Sequence, residues 1–112
     1  MNELRDRLRT FAAERDWDQF HSPKNLASAL SVEAAELLEH FQWLTEAESK
    51  HLPPAKVAEV RDEMADVLIY LVRLADKLEL DLLAAAAAKI EKNAAKYPAA
   101  KVRGSMKKYS DY

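Results

Sequence analysis

A chain of 112 residues with 17 basic and 19 acidic side chains has a net charge of −2, which gives no general reason to bind nucleic acid or an anionic membrane surface. One glycine, four prolines, no cysteine and 49% hydrophobic residues describe a compact helical protein with few tight turns, no disulfides and no thiolate metal ligands. The longest strongly apolar run, 67–72, is too short to span a bilayer, and Met1 leads into a charged amphipathic stretch rather than a secretory h-region; the expectation is a cytoplasmic protein without a membrane anchor.

The first helix is predicted over 3–15, with Leu4, Leu8, Phe11 and Ala12 at helical spacing. The connection R-D-W-D-Q-F-H follows. Ser22 then reads as an N-cap with Pro23 at the first helical position, opening a second helix that runs to about Leu44. A polar stretch with room for one short helical turn leads to Pro53-Pro54, which break the chain. A third helix is predicted over 55–80. A fourth, capped by Asp81, runs to Tyr97 and stops before Pro98. No strand pattern competes, so the fold class is all-α: a bundle of four to five helices over 1–98, with 99–112 as a basic, mobile tail.

Four carboxylates stand apart from the other acids. Glu33 and Glu36 lie in S-V-E-A-A-E, and Glu63 and Asp66 in D-E-M-A-D, each pair on one helix face a turn apart. On the second helix Leu26, Leu30, Leu37, Phe41 and Leu44 gather in a core-facing stripe, with Glu33 and His40 on its border and Glu36 and Trp43 on the next strip round. On the third, Val60, Met64, Val67, Leu71 and Leu78 form the stripe, and Glu59, Glu63, Asp66 and Tyr70 its flank. A carboxylate pressed against a core costs several kcal/mol unless it is compensated. Acids on two facing helices therefore ask for a shared cation, and hard oxygen ligands suit Mg²⁺ or Mn²⁺. The competing view makes them surface charges paired with Arg61, Arg73 or lysines. Zinc is disfavoured by the lack of cysteine and only three histidines. Glu48 and His51 give a single Glu-x-x-His without a second copy, which disfavours a di-iron centre.

Helix four carries Lys89, Asn93 and Lys96 on one face with Tyr97 near its edge, a set suited to polyphosphate oxygens. Trp17, Trp43 and Tyr70 offer flat faces on which a base can stack, against the ordinary alternative of core or rim packing.

The blocks F-A-A-E-R-D-W-D-Q-F-H-S-P-K-N-L, E-A-A-E-L-L-E-H-F-Q-W, E-M-A-D-V-L-I-Y-L-V and K-I-E-K-N-A-A-K-Y-P resemble, in this order, the MazG-like nucleotide pyrophosphohydrolases, and within them the dCTP pyrophosphatase branch. The resemblance extends over about 11–109 and departs at E-A-A-E, where relatives of that branch often carry a glycine. It implies hydrolysis of a (deoxy)nucleoside triphosphate to the monophosphate and pyrophosphate, dependent on Mg²⁺ with Mn²⁺ as a substitute. It further implies Glu33, Glu36, Glu63 and Asp66 as metal ligands, and Lys89, Asn93, Lys96 and Tyr97 on the phosphate side. Trp17, Trp43 and Tyr70 would line the base pocket, and the assembly would be a homodimer or homotetramer. Glu36 is the candidate to orient or deprotonate the attacking water. The alternatives are a broad-specificity NTP pyrophosphatase and a non-catalytic helical interaction module.

Overall fold

The computed structural model describes residues 1–104, and all regular structure among them is helical. The elements are α1 (Asn2–Glu14), a 3₁₀ turn (Asp18–Phe20), α2 (Pro23–Glu39), α3 (Glu46–Ser49), α4 (Pro54–Lys77), α5 (Leu82–Lys96) and α6 (Ala99–Val102). The all-α expectation holds. The remainder of the expected tail, 105–112, lies outside the described residues.

Local chemistry sets most of the boundaries. The Ser22 hydroxyl accepts from Asn25 N–H at 3.1 Å, with Pro23 opening α2. Thr45 and Glu48 close a reciprocal capping box on α3, at 3.1 and 2.9 Å. Asp81 accepts from Ala84 N–H at 3.0 Å and starts α5. Two boundaries differ from expectation: α4 ends at Lys77 rather than 80, and α2 ends at Glu39 rather than near Leu44. The chain tightens there, with His40, Phe41 and Leu44 N–H each donating three residues back, so Trp43 leaves the helical register that placed it beside Glu36.

Helices α1 and α4 both end in a Schellman motif. After α1, Trp17 N–H donates to Ala12 C=O and Asp16 N–H to Ala13 C=O; after α4, Leu80 N–H donates to Ala75 C=O and Glu79 N–H to Asp76 C=O. The left-handed position is held by Asp16 at φ 52° and by Glu79 at φ 55°, where glycine would carry no steric penalty. Glu79→Gly should raise stability to urea by up to about 1 kcal/mol, while the β-branched Glu79→Val should lower it by about as much.

The chain forms two compact units, Met1–Leu80 and the segment from Asp81 onward. In the first, α4 packs against α2 and, more lightly, against α1. Its buried apolar residues are Ala12, Leu26, Val60, Val72 and Ala75. The expected α4 stripe is corrected here: Met64 and Leu78 are 57% and 49% exposed. In its first half α4 has α2 on the flank that carries Glu63 and Asp66, which leaves Val57, Met64 and Leu68 outside. Leu78 lies past the last helical turn. In the second unit α5 presents Lys89, Asn93 and Lys96 on its exposed surface and ends at Tyr97, whose N–H donates to Asn93 C=O at 2.8 Å.

Candidate metal centre

Since α2 and α4 meet along their acidic flanks, Glu33, Glu36 and Glu63 each bring a carboxylate oxygen within 4.8 Å of the other two. All three are half-buried. The Oε2 atoms of Glu33 and Glu63 are shut off from solvent and accept no hydrogen bond. Two buried acceptors without donors are costly in a protein-only site. The natural complement is a cation with hard-oxygen preference, so the donor set fits a divalent metal.

The electrostatics agree. Burial, then the neighbouring carboxyls of Glu36 and Glu63 and the charge of Asp66, push the Glu33 carboxyl from its ordinary 4.5 up to about 7. Glu63 is likewise raised, first by burial, with the charges of Glu36 and Asp66 adding to it. Asp66 thus lies close enough to act on both, although the three converging oxygens come from Glu33, Glu36 and Glu63. Glu59, placed on the same flank by periodicity, is engaged elsewhere: it pairs with Lys56 at 3.1 Å and lies 3.8 Å from His40.

These shifts give the metal-free protein a definite pH response. A carboxyl whose folded pKa is raised binds its proton more tightly when folded, so its contribution is fully present below about 4.5 and is lost as pH rises through about 7. His21 works the other way, because burial and the Arg73 charge lower its pKa, so neutral His21 favours the fold as pH rises. Comparison with Glu33→Gln isolates the carboxyl. Without metal, the wild-type Tm should fall relative to that of the variant between about pH 5 and pH 8, and a parallel pair of curves would contradict the arrangement.

The aromatic candidates occupy separate places. Trp17 follows α1 and sets its ring edge against Phe11, with centroids 5.7 Å apart. Trp43, in the turn after α2, is 87% exposed. Tyr70 is half-buried on α4, one turn beyond Asp66. A groove of about 630 Å³ near Trp43 is lined by Leu44, Ala47, Leu52, Pro53 and Lys56, with Glu48 and His51 at its polar side.

One polar network escaped the sequence. Arg73, read above as a possible surface partner for the acids, is only 4% exposed. It donates to Asp18 at 2.9 Å, lies 3.5 Å from Asp76 and reaches His21 Nδ1 at 3.2 Å. Arg9 completes Asp76 through a two-pronged contact whose Nε–Oδ2 distance is 2.7 Å, and Lys77 reaches Asp18 at 2.6 Å. The Asp76 carboxyl is held below its usual range, first by Arg9. Arg73 and Asp76, at i,i+3 spacing directly after the apolar run 67–72, were the available signal.

Residues 28–112 match the MazG-like family. The chain is 44% identical over 113 aligned residues to dCTP pyrophosphatase 1 of Mus musculus and 43% identical to that of Homo sapiens, with 99% of this chain aligned. It spans about two thirds, 66%, of the length of those curated relatives. A crystal structure of a pyrophosphatase from Archaeoglobus fulgidus is similar at a TM-score of 0.83 and 47% identity, covering 88% of this chain and 92% of that one. With most of its length matched and its helical fold shared at that identity, the chain belongs to the MazG-like family.

Proposed function

We propose that the protein is a Mg²⁺-dependent pyrophosphohydrolase that converts a (deoxy)nucleoside triphosphate and water to the monophosphate and pyrophosphate, with a preference for dCTP or a modified dCTP. The observation that carries this reading is the convergence of Glu33, Glu36 and Glu63 with two buried oxygens left without donors. Identity above 40% to dCTP pyrophosphatases supports the nucleotide. In a cell such an enzyme would serve nucleotide-pool housekeeping in the cytoplasm; among the described residues no helix is long and apolar enough to cross a membrane.

Glu33, Glu36 and Glu63 would hold the metal, with Asp66 as a further ligand on the α4 side. When bound, the ion supplies positive charge for phosphate oxygens and lowers the pKa of water. Glu36 is assigned to orient the attacking water and accept its proton. Lys89, Asn93 and Lys96, with Tyr97, are assigned to the phosphate side on the strength of the sequence motif alone. Trp17, Trp43 and Tyr70 are assigned to the base, where stacking contributes about 1–3 kcal/mol. The exposed apolar side of α4, with Val57, Met64 and Leu68, supports burial against a second copy in a homodimer or homotetramer, without nucleic-acid or membrane partners. A single catalytic domain over 1–98 with 99–112 as a basic tail completes the proposal.

Incubation with each nucleoside triphosphate and Mg²⁺, followed by identification of products, tests the assignment. The expected result is monophosphate plus intact pyrophosphate, fastest with dCTP or a modified dCTP, and abolished by EDTA. Equal turnover of all bases would replace the dCTP preference with broad specificity. Release of orthophosphate from the γ position would contradict the reaction, and complete inactivity would favour a non-catalytic helical module.

A further inference from the structure

The 3₁₀ turn Asp18–Phe20 buries no side chain, so apolar packing does not fix its place in the unit. Its local bonds, Gln19 to Asp16 and Asn25 to Phe20 C=O, shape the turn and join it to the start of α2, but none of them reaches α4. Its ties to α4 run through charge. Asp18 accepts from Arg73 at 2.9 Å and from Lys77 at 2.6 Å, and His21 Nδ1 lies 3.2 Å from the Arg73 guanidinium. Arg73 is buried, while the Asp18 side chain is 60% exposed. A buried ion pair adds little stability compared with apolar residues of the same volume; what it can add is one defined geometry.

The residue just ahead of Asp18 is Trp17. Its N–H is fixed by Ala12 C=O at 2.9 Å, and its ring rests edge-on against Phe11 while 46% of the residue stays exposed. Arg73 itself sits one turn beyond Tyr70 on α4. The same guanidinium therefore connects the segment carrying Trp17 with the part of α4 that carries Tyr70.

We propose that Arg73 and Asp18 form a positioning pair, which holds Trp17 in a fixed orientation relative to α4 and thereby sets nucleotide affinity and base preference without touching substrate. This rests on the reading of Trp17 as a base-stacking wall. Asp18 is the residue to change, because Arg73 keeps Asp76 and His21 as acceptors when Asp18 is lost and the unit stays folded.

Four measurements on the full chain decide it. In a Trp43→Phe background Trp17 is the sole tryptophan, and Asp18→Ala should shift its emission to the red and increase acrylamide quenching. In the otherwise native protein Asp18→Ala should raise KM for dCTP by roughly three- to tenfold, a fraction of the roughly 5- to 150-fold that complete loss of stacking would cause, with kcat and the Mg²⁺ requirement within about twofold. Asp18→Glu should recover part of the KM. In a Trp17→Ala background, Asp18→Ala should raise KM no further, because its effect passes through that ring. Unchanged Trp17 emission would overturn the positioning pair outright, and so would an Asp18→Ala effect that persists in full without Trp17. If Trp17→Ala alone leaves KM unchanged, the stacking reading fails first and the affinity role of the pair falls with it, even where the emission shift shows that Asp18 holds the ring.

Discussion

Replacing Glu33 or Glu63 by glutamine should cut kcat/KM by roughly 10³-fold, because the change keeps size and removes the charge that a divalent cation requires. Partners one step removed from a metal typically cost 10–100-fold on mutation, so a ligand should cost more. Metal titration should show the loss as weakened Mg²⁺ activation rather than as a change in nucleotide KM alone. The same variants carry an opposite sign in stability. Burial and mutual repulsion already hold both carboxyls above their ordinary values, so removing one of them should raise the metal-free Tm above about pH 7. A fall in Tm with activity retained would mean that these acids are structural charges with partners of their own.

Arg73 should give the largest loss of stability from a single substitution. It is nearly inaccessible, and its removal leaves Asp76, whose side chain is 10% exposed, with Arg9 as its remaining partner. Breaking a buried pair from one side costs about 3–5 kcal/mol, and Arg9 places the expected value for Arg73→Ala near the lower end. Arg73→Lys keeps the charge but not the planar fork that reaches Asp18, Asp76 and His21 together, so it should fall between. Urea denaturation of the metal-free protein measures both. A cost below about 1 kcal/mol for Arg73→Ala would mean that the network adds nothing beyond surface pairing.

Much of this arrangement is legible in the sequence, and the parts that are not share a physical reason. Ser22-Pro23, Pro53-Pro54 and Asp81 place helix starts because caps and prolines act through the local backbone. Glu33, Glu36 and Glu63 were visible because acids bordering an apolar stripe have few inexpensive explanations. Their actual convergence, and the place of Asp66 beside rather than within it, depends on how α2 and α4 cross, which periodicity does not encode. The same limit explains Met64: a stripe identifies an apolar face, but only the neighbouring helix decides which half of it is covered. Trp43 was misplaced on the wheel because the end of α2 tightens after Glu39 with no proline or glycine to mark it. Arg73 was hidden for another reason. Its partner Asp18 is 55 residues away, and Arg9, which pairs with the neighbouring Asp76, is 67 residues from that carboxylate, so most of the network around it is tertiary.

The central claim is that three carboxylates from two helices hold a divalent cation, and direct binding tests it most closely. Mn²⁺ added to the metal-free protein can be followed by the loss of the free-ion paramagnetic signal, without substrate and without turnover. The wild-type chain should bind Mn²⁺ and release it to excess Mg²⁺, and the protein carrying Glu33→Gln, Glu36→Gln and Glu63→Gln together should leave the free-ion signal unchanged while remaining helical by circular dichroism. Equal Mn²⁺ binding by the triple variant would place the metal elsewhere and contradict the account.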